Sequence, residues 1–418
     1  MTELVLTESD QALLNGESGE GAAVAMRVVT AVARSMGAPR LVDIESAHVD
    51  GCFYVGPVSI DYARVLVEGD ARVRVPTTLN VGPIDQRHPE RWSGTSQAAT
   101  NARTVMGLYE KLGCQTTWTC APYLLRDRPR FGSQIAWGES NAIVFANSVL
   151  GARTQRYGDF VDVAAAVTGR APFAGLHTDE GRSGELLIDV TGLSPSVIEH
   201  EAFFPVLGHI AGQWCGGRIP VVVGVDAATE DDLKAFGAAT ASTGAVALFH
   251  VVGVTPEAET AEMAFQGRAP VETIRVGVED LRRGWSELST RNDGLLSAVC
   301  LGTPHFSIAE FHQLASLLDG RSIHPRTPLY VNAGRWVYDS IVAQGVGSRL
   351  EEAGVQVVTD ACTYNTPILD KMEGLVMTNS AKWAWYAPRQ IGAEVLFAGL
   401  SACVESAIEG RVVSHAGF

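Results

Sequence analysis

The segment IPVVVG, residues 219–224, decides the fold class, because it is an apolar run of strand length that ends at a glycine. A helical pattern begins at Asp231, and a second apolar run covers residues 245–252. A strand, a helix and another strand in this order are typical of a parallel sheet covered by helices. The same alternation continues through most of the chain, so we predict an α/β protein.

The other elements follow the same pattern in both directions from this segment. Predicted strands lie at 41–44, 73–75, 115–118, 186–190, 295–299, near 329 and at 355–358, and longer predicted helices lie at 21–36, 58–68, 97–112 and 277–288. Three polar stretches follow strands and are predicted as loops, at 46–52, 76–82 and 119–123. Residues 255–273 are the most polar and least periodic part, so we predict a lobe boundary there.

Length and composition limit the class of protein. A chain of 418 residues is too long for one ordinary core, so two or three packed lobes are expected. The net charge of −15, without a run of basic residues, argues against nucleic acid as a partner. No apolar run approaches a membrane span, and the acidic amino-terminal segment differs from a secretory signal. We therefore predict a cytoplasmic protein that binds neither nucleic acid nor membrane.

Seven cysteines at irregular spacing do not suggest a disulfide framework. Cys120, Cys300 and Cys362 each fall at or just past the carboxyl end of a predicted strand, where α/β sheets place their ligand crevices. Each cysteine alone is more simply interpreted as a buried apolar residue. Cys52 also follows a strand and competes for a ligand role, whereas the cysteines at 114, 215 and 403 are predicted to be structural.

Three thiolates would suit a soft metal centre with an open position. Thiolates favour zinc or iron–sulfur chemistry over magnesium or calcium. A closed structural zinc site usually contains a C-x2-C pair, and this sequence has none. The sequence also lacks H-E-x-x-H, the phosphate-binding G-x-x-x-x-G-K-[ST] and the G-x-S-x-G of hydrolases. An open Lewis-acid site is therefore the sharper hypothesis.

Small polar groups cluster at several of the predicted loops. His48 and Asp50 are two residues apart, a spacing that suits proton handling. Other groups of a kind that fix a carboxylate are Ser46, Thr77, Thr78, Asn80, Glu139, Ser140, Asn141 and Lys382. Each cluster is equally interpretable as a turn or a helix cap.

Several long motifs together resemble one known family, the catalytic domain of aconitase X. They are SAHVDGCFY (46–54), VPTTLNVG (75–82), TWTCAPY (117–123), QIAWGESNAIVFANSVLGARTQRYGDF (134–160), CLGTPHFS (300–307) and TNSAKWAWYAP (378–388). The resemblance covers about residues 3–412. It implies an aconitase-like core with mainly parallel sheets and a metal site in the crevice between lobes. The metal would be iron, as an iron–sulfur cluster or a mononuclear ion, held by Cys120, Cys300 and Cys362.

The resemblance also implies a reaction, the removal of water from a small hydroxylated carboxylate. Bacterial members act on cis-3-hydroxy-L-proline and archaeal members on 5-phosphomevalonate, and we rank the imino acid first because the acidic composition does not suggest a phosphate site. Iron would help the hydroxide to leave. His48 and Asp50 would orient or protonate the departing oxygen, while Lys382 and Asn141 would hold the carboxylate.

Members of this family use a small swivel-like domain that carries a catalytic serine. The chain ends at Phe418 without such a domain, so we expect a separate small subunit and an inactive isolated chain. Two other interpretations stay open at this point. One is a zinc-dependent lyase on the same fold, and the other is a metal-free, non-catalytic scaffold subunit.

Overall fold

The structure is a computed structural model that describes residues 3–369, 373–413 and 417–418. It contains two compact units. Unit 1 comprises Met1–Ile84, Thr95–Ser183 and Thr255–Glu257, and unit 2 comprises Asp85–Gly94, Gly184–Val254 and Ala258–Phe418. Within the described ranges, no helix combines the length and the apolar composition that a membrane crossing requires.

Unit 1 is built on a short parallel sheet. Its helices are α1 (Glu8–Leu14), α2 (Glu20–Ser35), α3 (Pro57–Glu68), α4 (Ser96–Lys111), α5 (Ser140–Ser148) and α6 (Val161–Thr168). Its strands are β1 (Leu41–Asp43), β2 (Ala47–Val49), β3 (Thr77–Leu79), β4 (Ala136–Trp137) and β5 (Arg170–Pro172). Strand β2 pairs in parallel with β3 and β4, while β1 and β5 form an antiparallel pair. Helix α6 packs on β2, and α2 packs on α6. Alanines make up most of the buried core cluster around β2 and α6.

Unit 2 contains two larger sheets. Its helices are α7 (Pro195–Ile198), α8 (Phe203–Cys215), α9 (Glu230–Gly244), α10 (Ala261–Ala264), α11 (Val278–Glu287), α12 (Ile308–Leu318), α13 (Arg335–Ala343), α14 (Val346–Glu352), α15 (Ala381–Gln390) and α16 (Leu400–Glu409). Its strands are β6 (Leu186–Asp189), β7 (Pro220–Val223), β8 (His250–Val251), β9 (Glu272–Arg275), β10 (Leu296–Leu301), β11 (Leu329–Ala333), β12 (Val355–Thr359), β13 (Leu375–Thr378) and β14 (Glu394–Phe397).

Both sheets of unit 2 are parallel. One has the strand order β8-β7-β6-β9, and the other has the order β12-β11-β10-β13-β14. Strands covered on both faces need apolar side chains on both faces, which explains the unbroken run in β7. The predicted α/β class with mainly parallel sheets is therefore confirmed.

Three predicted strands differ from the structure. Residues 73–75 form no strand, because the N–H of Val73 donates to Leu112 and that of Arg74 to Ala166, outside any ladder. In the stretch 115–118 only Gln115 makes a strand-like bridge, to Thr78. The run 245–252 contains only the short strand β8.

The predicted loops at 46–52 and 76–82 contain two strands, β2 and β3. Each of these strands has only three residues and includes polar side chains, so the sequence shows no strand periodicity there. At the predicted lobe boundary, Thr255–Glu257 belongs to unit 1 and Ala258 onwards to unit 2. A boundary across 255–273 stays a prediction.

Candidate active site

Three side chains form a row on one face of the sheet in unit 1. His48 in β2 is in register with Thr78 in β3 and with Trp137 in β4, and paired residues of parallel strands share a face. The Nδ1 of His48 lies 2.8 Å from the Oγ1 of Thr78, and its ring lies 5.8 Å from that of Trp137. Burial lowers the pKa of His48 to about 3. The ring is therefore neutral near pH 7 and suited to positioning rather than to carrying a charge.

A cavity of about 520 Å³ in unit 1 adjoins this row. Ser46, Thr78 and Trp137 line it together with the charged segment 126–130. Among the described residues, neither the Nε2 of buried His48 nor the indole N–H of Trp137 has a hydrogen-bond partner. The cavity is of a size typical of small-molecule sites. Two of the predicted substrate-binding residues, Ser46 and Thr78, therefore share one cavity.

Thr77 lies apart from that cavity. Its neighbour Thr78 faces the cavity, and adjacent residues of a strand point to opposite faces. The hydroxyl of Thr77 donates to the carbonyl of Val75 at 2.9 Å and is buried. In this structure the side chain of Thr77 stabilises the start of its own strand.

Asp50 follows the end of β2 and lies within a group of carboxylates. The side-chain amide of Asn80 donates to its carboxylate, and its own backbone N–H donates to Asp162 at 2.6 Å. Loss of solvent raises the pKa of Asp50 to about 8, and Glu139, Asp159 and Asp162 add to the rise through repulsion. The bond from Asn80 opposes this rise only in part. Asp50 is therefore protonated near pH 7 and can act as a proton donor.

Asp162 was missed by sequence reasoning, although it contacts the Asp50 turn directly. It lies at the start of α6 and accepts N–H bonds from Asp50, Gly51 and Val163. Burial raises its pKa to about 6, and these N–H bonds act in the opposite direction. A Cβ added at Gly138 would lie 2.6 Å from the Asp162 carboxylate. Only glycine fits there.

Glu139 and Asn141 organise the turn that contains Cys120. Glu139 caps α5 from a left-handed backbone conformation, with φ at +65°, and accepts the N–H of Ala142 at 2.8 Å. The amide of Asn141 donates to Glu139 and to the carbonyl of Cys120, the latter at 2.9 Å. Both amide hydrogens of Asn141 are therefore engaged within the protein. This side chain positions the turn rather than presenting free donors to a carboxylate.

Tyr123 and Ser140 complete this cluster. The hydroxyl of Tyr123, a residue that sequence reasoning missed, donates to Asn141 at 2.6 Å, and its ring stacks on Phe145 at 3.8 Å. The hydroxyl of Ser140 donates to Glu139 at 3.2 Å. The only feature of the sequence that could have pointed to Tyr123 is its position three residues after Cys120 in the motif TWTCAPY.

Cys300 and Cys362 lie close together in unit 2. Cys300 is the fifth residue of β10, and Cys362 follows β12 by three residues. Both are buried, and burial raises the pKa of Cys300 far above the usual range of a thiol. Thr363 forms a hydrogen bond to Cys300, and Cys362 adds repulsion. The two thiols therefore share one buried polar environment at the carboxyl ends of β10 and β12, the two strands on either side of β11.

Lys382 lies in the first turn of α15 in unit 2 and is buried. Ser380 caps this helix by accepting the N–H of Trp383 at 3.0 Å, and its own hydroxyl donates to the carbonyl of Thr303. Burial lowers the pKa of His305 to about 4, and the charge of Lys382 contributes to that shift. Lys382 thus lies near His305 in unit 2, and its role towards a carboxylate stays a prediction.

Unit 2 contains part of a donor set that suits a soft metal. Across residues 3–369, 373–413 and 417–418, no group of three His, Cys, Asp or Glu side chains has an arrangement that could hold a metal ion. Two soft donors, Cys300 and Cys362, do lie together in unit 2, whereas Cys120 belongs to unit 1. A thiolate buried without a counter-charge is costly, and a bound cation would offset that cost. The pair fits a thiophilic metal, and the full trio stays a prediction.

Comparison with protein-family models gives three matches along the chain. Residues 3–180 match the aconitase X first domain, residues 184–286 the second domain and residues 296–409 the third domain. Together these matches cover most of both units.

Individual relatives agree. The chain is 47% identical over 406 residues to a cis-3-hydroxy-L-proline dehydratase of Pseudomonas aeruginosa, covering 96% of this chain and 70% of the relative. It is 42% identical to a cis-3-hydroxy-L-proline dehydratase of Hypocrea jecorina, covering 97% and 69%. It is 31% identical to the phosphomevalonate dehydratase large subunit of Methanocaldococcus jannaschii, covering 98% and 100%.

A solved structure is also similar. The crystal structure of Thermococcus kodakaraensis aconitase X, in its holo-form, has a TM-score of 0.87 and 33% identity, covering 96% of this chain and 100% of that one. The three relatives are dehydratases, so this chain is a hydro-lyase on an α/β scaffold. More particularly, the chain belongs to the aconitase X family.

Proposed function

We propose that this hydro-lyase removes water from cis-3-hydroxy-L-proline and that the product becomes Δ1-pyrroline-2-carboxylate. The observation that carries the proposal is the 47% identity to a cis-3-hydroxy-L-proline dehydratase across 96% of the chain. Identity to the phosphomevalonate relative is lower, at 31%. We therefore rank 5-phosphomevalonate as the second substrate.

The proposed metal is iron, as an iron–sulfur cluster or a mononuclear ion, and the proposed ligands are Cys120, Cys300 and Cys362. Support comes from the paired burial of Cys300 and Cys362 and from the preference of thiolates for such metals. When bound, iron would act as a Lewis acid on the hydroxyl that departs. Three protein ligands, rather than four, would leave room for the substrate hydroxyl at the metal.

The remaining roles are assigned to side chains of the chain itself. Asp50 is the proposed acid that protonates the departing oxygen, because its raised pKa keeps a proton available near pH 7. His48, neutral and bonded to Thr78, is proposed to orient that oxygen. Lys382 is the proposed partner of the substrate carboxylate. The proposed polar binding residues are Ser46, Thr78, Asn80, Glu139 and Ser140.

A small subunit with a swivel-like domain is the proposed partner, and it would supply a catalytic serine as the base. Support comes from relatives that are named phosphomevalonate dehydratase large subunits, a name that implies a smaller partner. We also propose that the protein works in the cytoplasm, where its seven free cysteines would stay reduced.

The test is anaerobic purification of the chain alone and with a co-expressed small subunit, followed by iron, zinc and sulfide analysis and substrate turnover. We expect the complex to contain iron and to consume cis-3-hydroxy-L-proline, and we expect no turnover by the chain alone. Conversion of 5-phosphomevalonate, without conversion of cis-3-hydroxy-L-proline, would reverse our ranking of the two substrates. Zinc in place of iron would favour a zinc lyase, and a complex with neither metal nor turnover would favour a scaffold subunit.

A further inference from the structure

Asn332 in β11 is fully buried, and its side chain connects the surroundings of both unit-2 thiols. Its carbonyl oxygen accepts the backbone N–H of Thr363 at 3.1 Å. Its amide nitrogen lies 2.9 Å from the carbonyl of Leu301 and 3.3 Å from the hydroxyl oxygens of both Thr303 and Thr363. An amide has two hydrogens, so one serves Leu301 and the other is shared between the two threonines.

The hydroxyl of Thr363 is oriented by its neighbours. Its oxygen accepts from the indole N–H of Trp383 at 3.0 Å and from Asn332 at 3.3 Å, which occupies both lone pairs. The only hydroxyl hydrogen must therefore point elsewhere, and Cys300 is the hydrogen-bond partner that lies there. Thr363 thus donates to the sulfur of Cys300.

Thr303 stands in the same relation to the other thiol. Its hydroxyl oxygen accepts from Asn332 and lies 3.3 Å from the sulfur of Cys362. Because a lone pair is directed to Asn332, the hydroxyl hydrogen is free to point at that sulfur. One buried amide therefore governs two hydroxyls, each facing a different cysteine.

We propose that Asn332 is a positioning residue that acts through Thr303 and Thr363 to direct one hydroxyl hydrogen at each sulfur of Cys300 and Cys362. The inference rests on the proposed function, in which these sulfurs hold iron. Residues that bond to metal ligands set how tightly the metal is held, and hydrogen bonds to sulfur set the reduction potential of the centre. A donated hydrogen stabilises the more negative, reduced state, so its loss moves the potential downwards.

The experiment uses the complete complex loaded with iron under anaerobic conditions. Thr303→Val and Thr363→Val remove the hydroxyls at nearly constant shape, while Thr303→Ser and Thr363→Ser keep them. In the valine variants we expect a more negative midpoint potential, measured by redox titration with visible absorption as the readout. We also expect these variants to lose iron to a chelator about 10-fold faster. The serine variants should resemble the wild type.

Asn332→Ala tests the upstream step. Introduced into the double valine variant, it should produce no further change in potential or iron loss, because the hydroxyls through which it acts are already absent. A further change would overturn the proposed route. If Asn332→Ala does not fold, the threonine variants still decide.

Valine variants with the potential and iron retention of the wild type would overturn the inference while leaving the proposed function intact. A wild-type complex that binds no metal would overturn the proposed function, and the inference with it.

Discussion

The backbone N–H of Asp50 donates to the carboxylate of Asp162 at 2.6 Å. This bond, with those from Gly51 and Val163, limits the rise in the pKa of Asp162 to about 6, whereas that of Asp50 rises to about 8. Of these two neighbouring carboxyl groups, Asp50 therefore binds its proton more tightly than Asp162 does. Such a separation supports the acid role proposed for Asp50.

The first prediction concerns activity. If protonated Asp50 is the acid, kcat/KM of the complex should fall as pH rises through about 8. Asp50→Asn should lower kcat by about 100-fold or more and remove that decline. The control is Asp159→Asn, which removes one exposed source of repulsion and should move the decline to lower pH while keeping kcat. An Asp50→Asn enzyme with the pH profile of the wild type would exclude this role.

The second prediction concerns stability. The pKa of Asp50 is raised from 3.8 to about 8, so the folded protein binds this proton more tightly than the unfolded chain does. Its contribution to the free energy of unfolding is present below pH 4 and is lost as pH rises towards 8. Asp50→Asn should therefore flatten the fall in stability across this range, measured by denaturant unfolding at several pH values. Parallel curves for the two proteins would contradict the assignment.

The third prediction concerns Gly138. An added Cβ would lie 2.6 Å from the Asp162 carboxylate and 2.9 Å from the Asp50 backbone nitrogen. Gly138→Ala should cost about 1–3 kcal/mol of stability and disturb the Asp50 pKa. Gly158→Ala is the matched control, since a Cβ there meets no atom within 4 Å. Equal melting temperatures for the two variants would show that the site tolerates the clash.

The fourth prediction concerns the buried ion pair that holds Thr255–Glu257 in unit 1. The Nε of Arg182 donates to Glu257 at 2.8 Å, and the same guanidinium donates to the Asn147 carbonyl at 2.8 Å. Arg182→Met should cost about 1–3 kcal/mol, because the buried Asn147 carbonyl would lose its donor and Glu257 would keep the weaker contact with Arg153 at 4.0 Å. Arg64→Met, at an exposed pair, should change stability by less than about 1 kcal/mol. Thermal unfolding of both variants is the measurement.

The fifth prediction concerns the proposed ligands. Cys300→Ser in the complex should lose both iron and turnover, because a serine hydroxyl is a poor replacement for a thiolate at a soft metal. Cys215→Ala, at a buried cysteine of α8 outside the proposed site, should retain both. Iron analysis and turnover report the outcome. Full iron content in Cys300→Ser would remove Cys300 from the ligand set.

The apolar run of β7 was predictable, whereas several shorter strands were not. Burial on both faces demands continuous apolar sequence, and β7 has it. The buried strand β13 was missed, although three of its four residues are apolar. Strands β2 and β3 have three residues each, and His48 and Thr78 interrupt their apolar character. A window of that length contains too little periodicity to separate a strand from a loop.

The sequence by itself determined the alternation of strands and helices and the family, because both depend on local patterns and long motifs. Only the tertiary structure decided which groups meet. Asp50 and Asp162 are 112 residues apart in the chain, and Asn332 is 31 residues from Thr363, yet each pair is joined by a hydrogen bond. Such contacts arise from the packing of whole elements, and the packing therefore sets the protonation of Asp50 and the surroundings of the thiols.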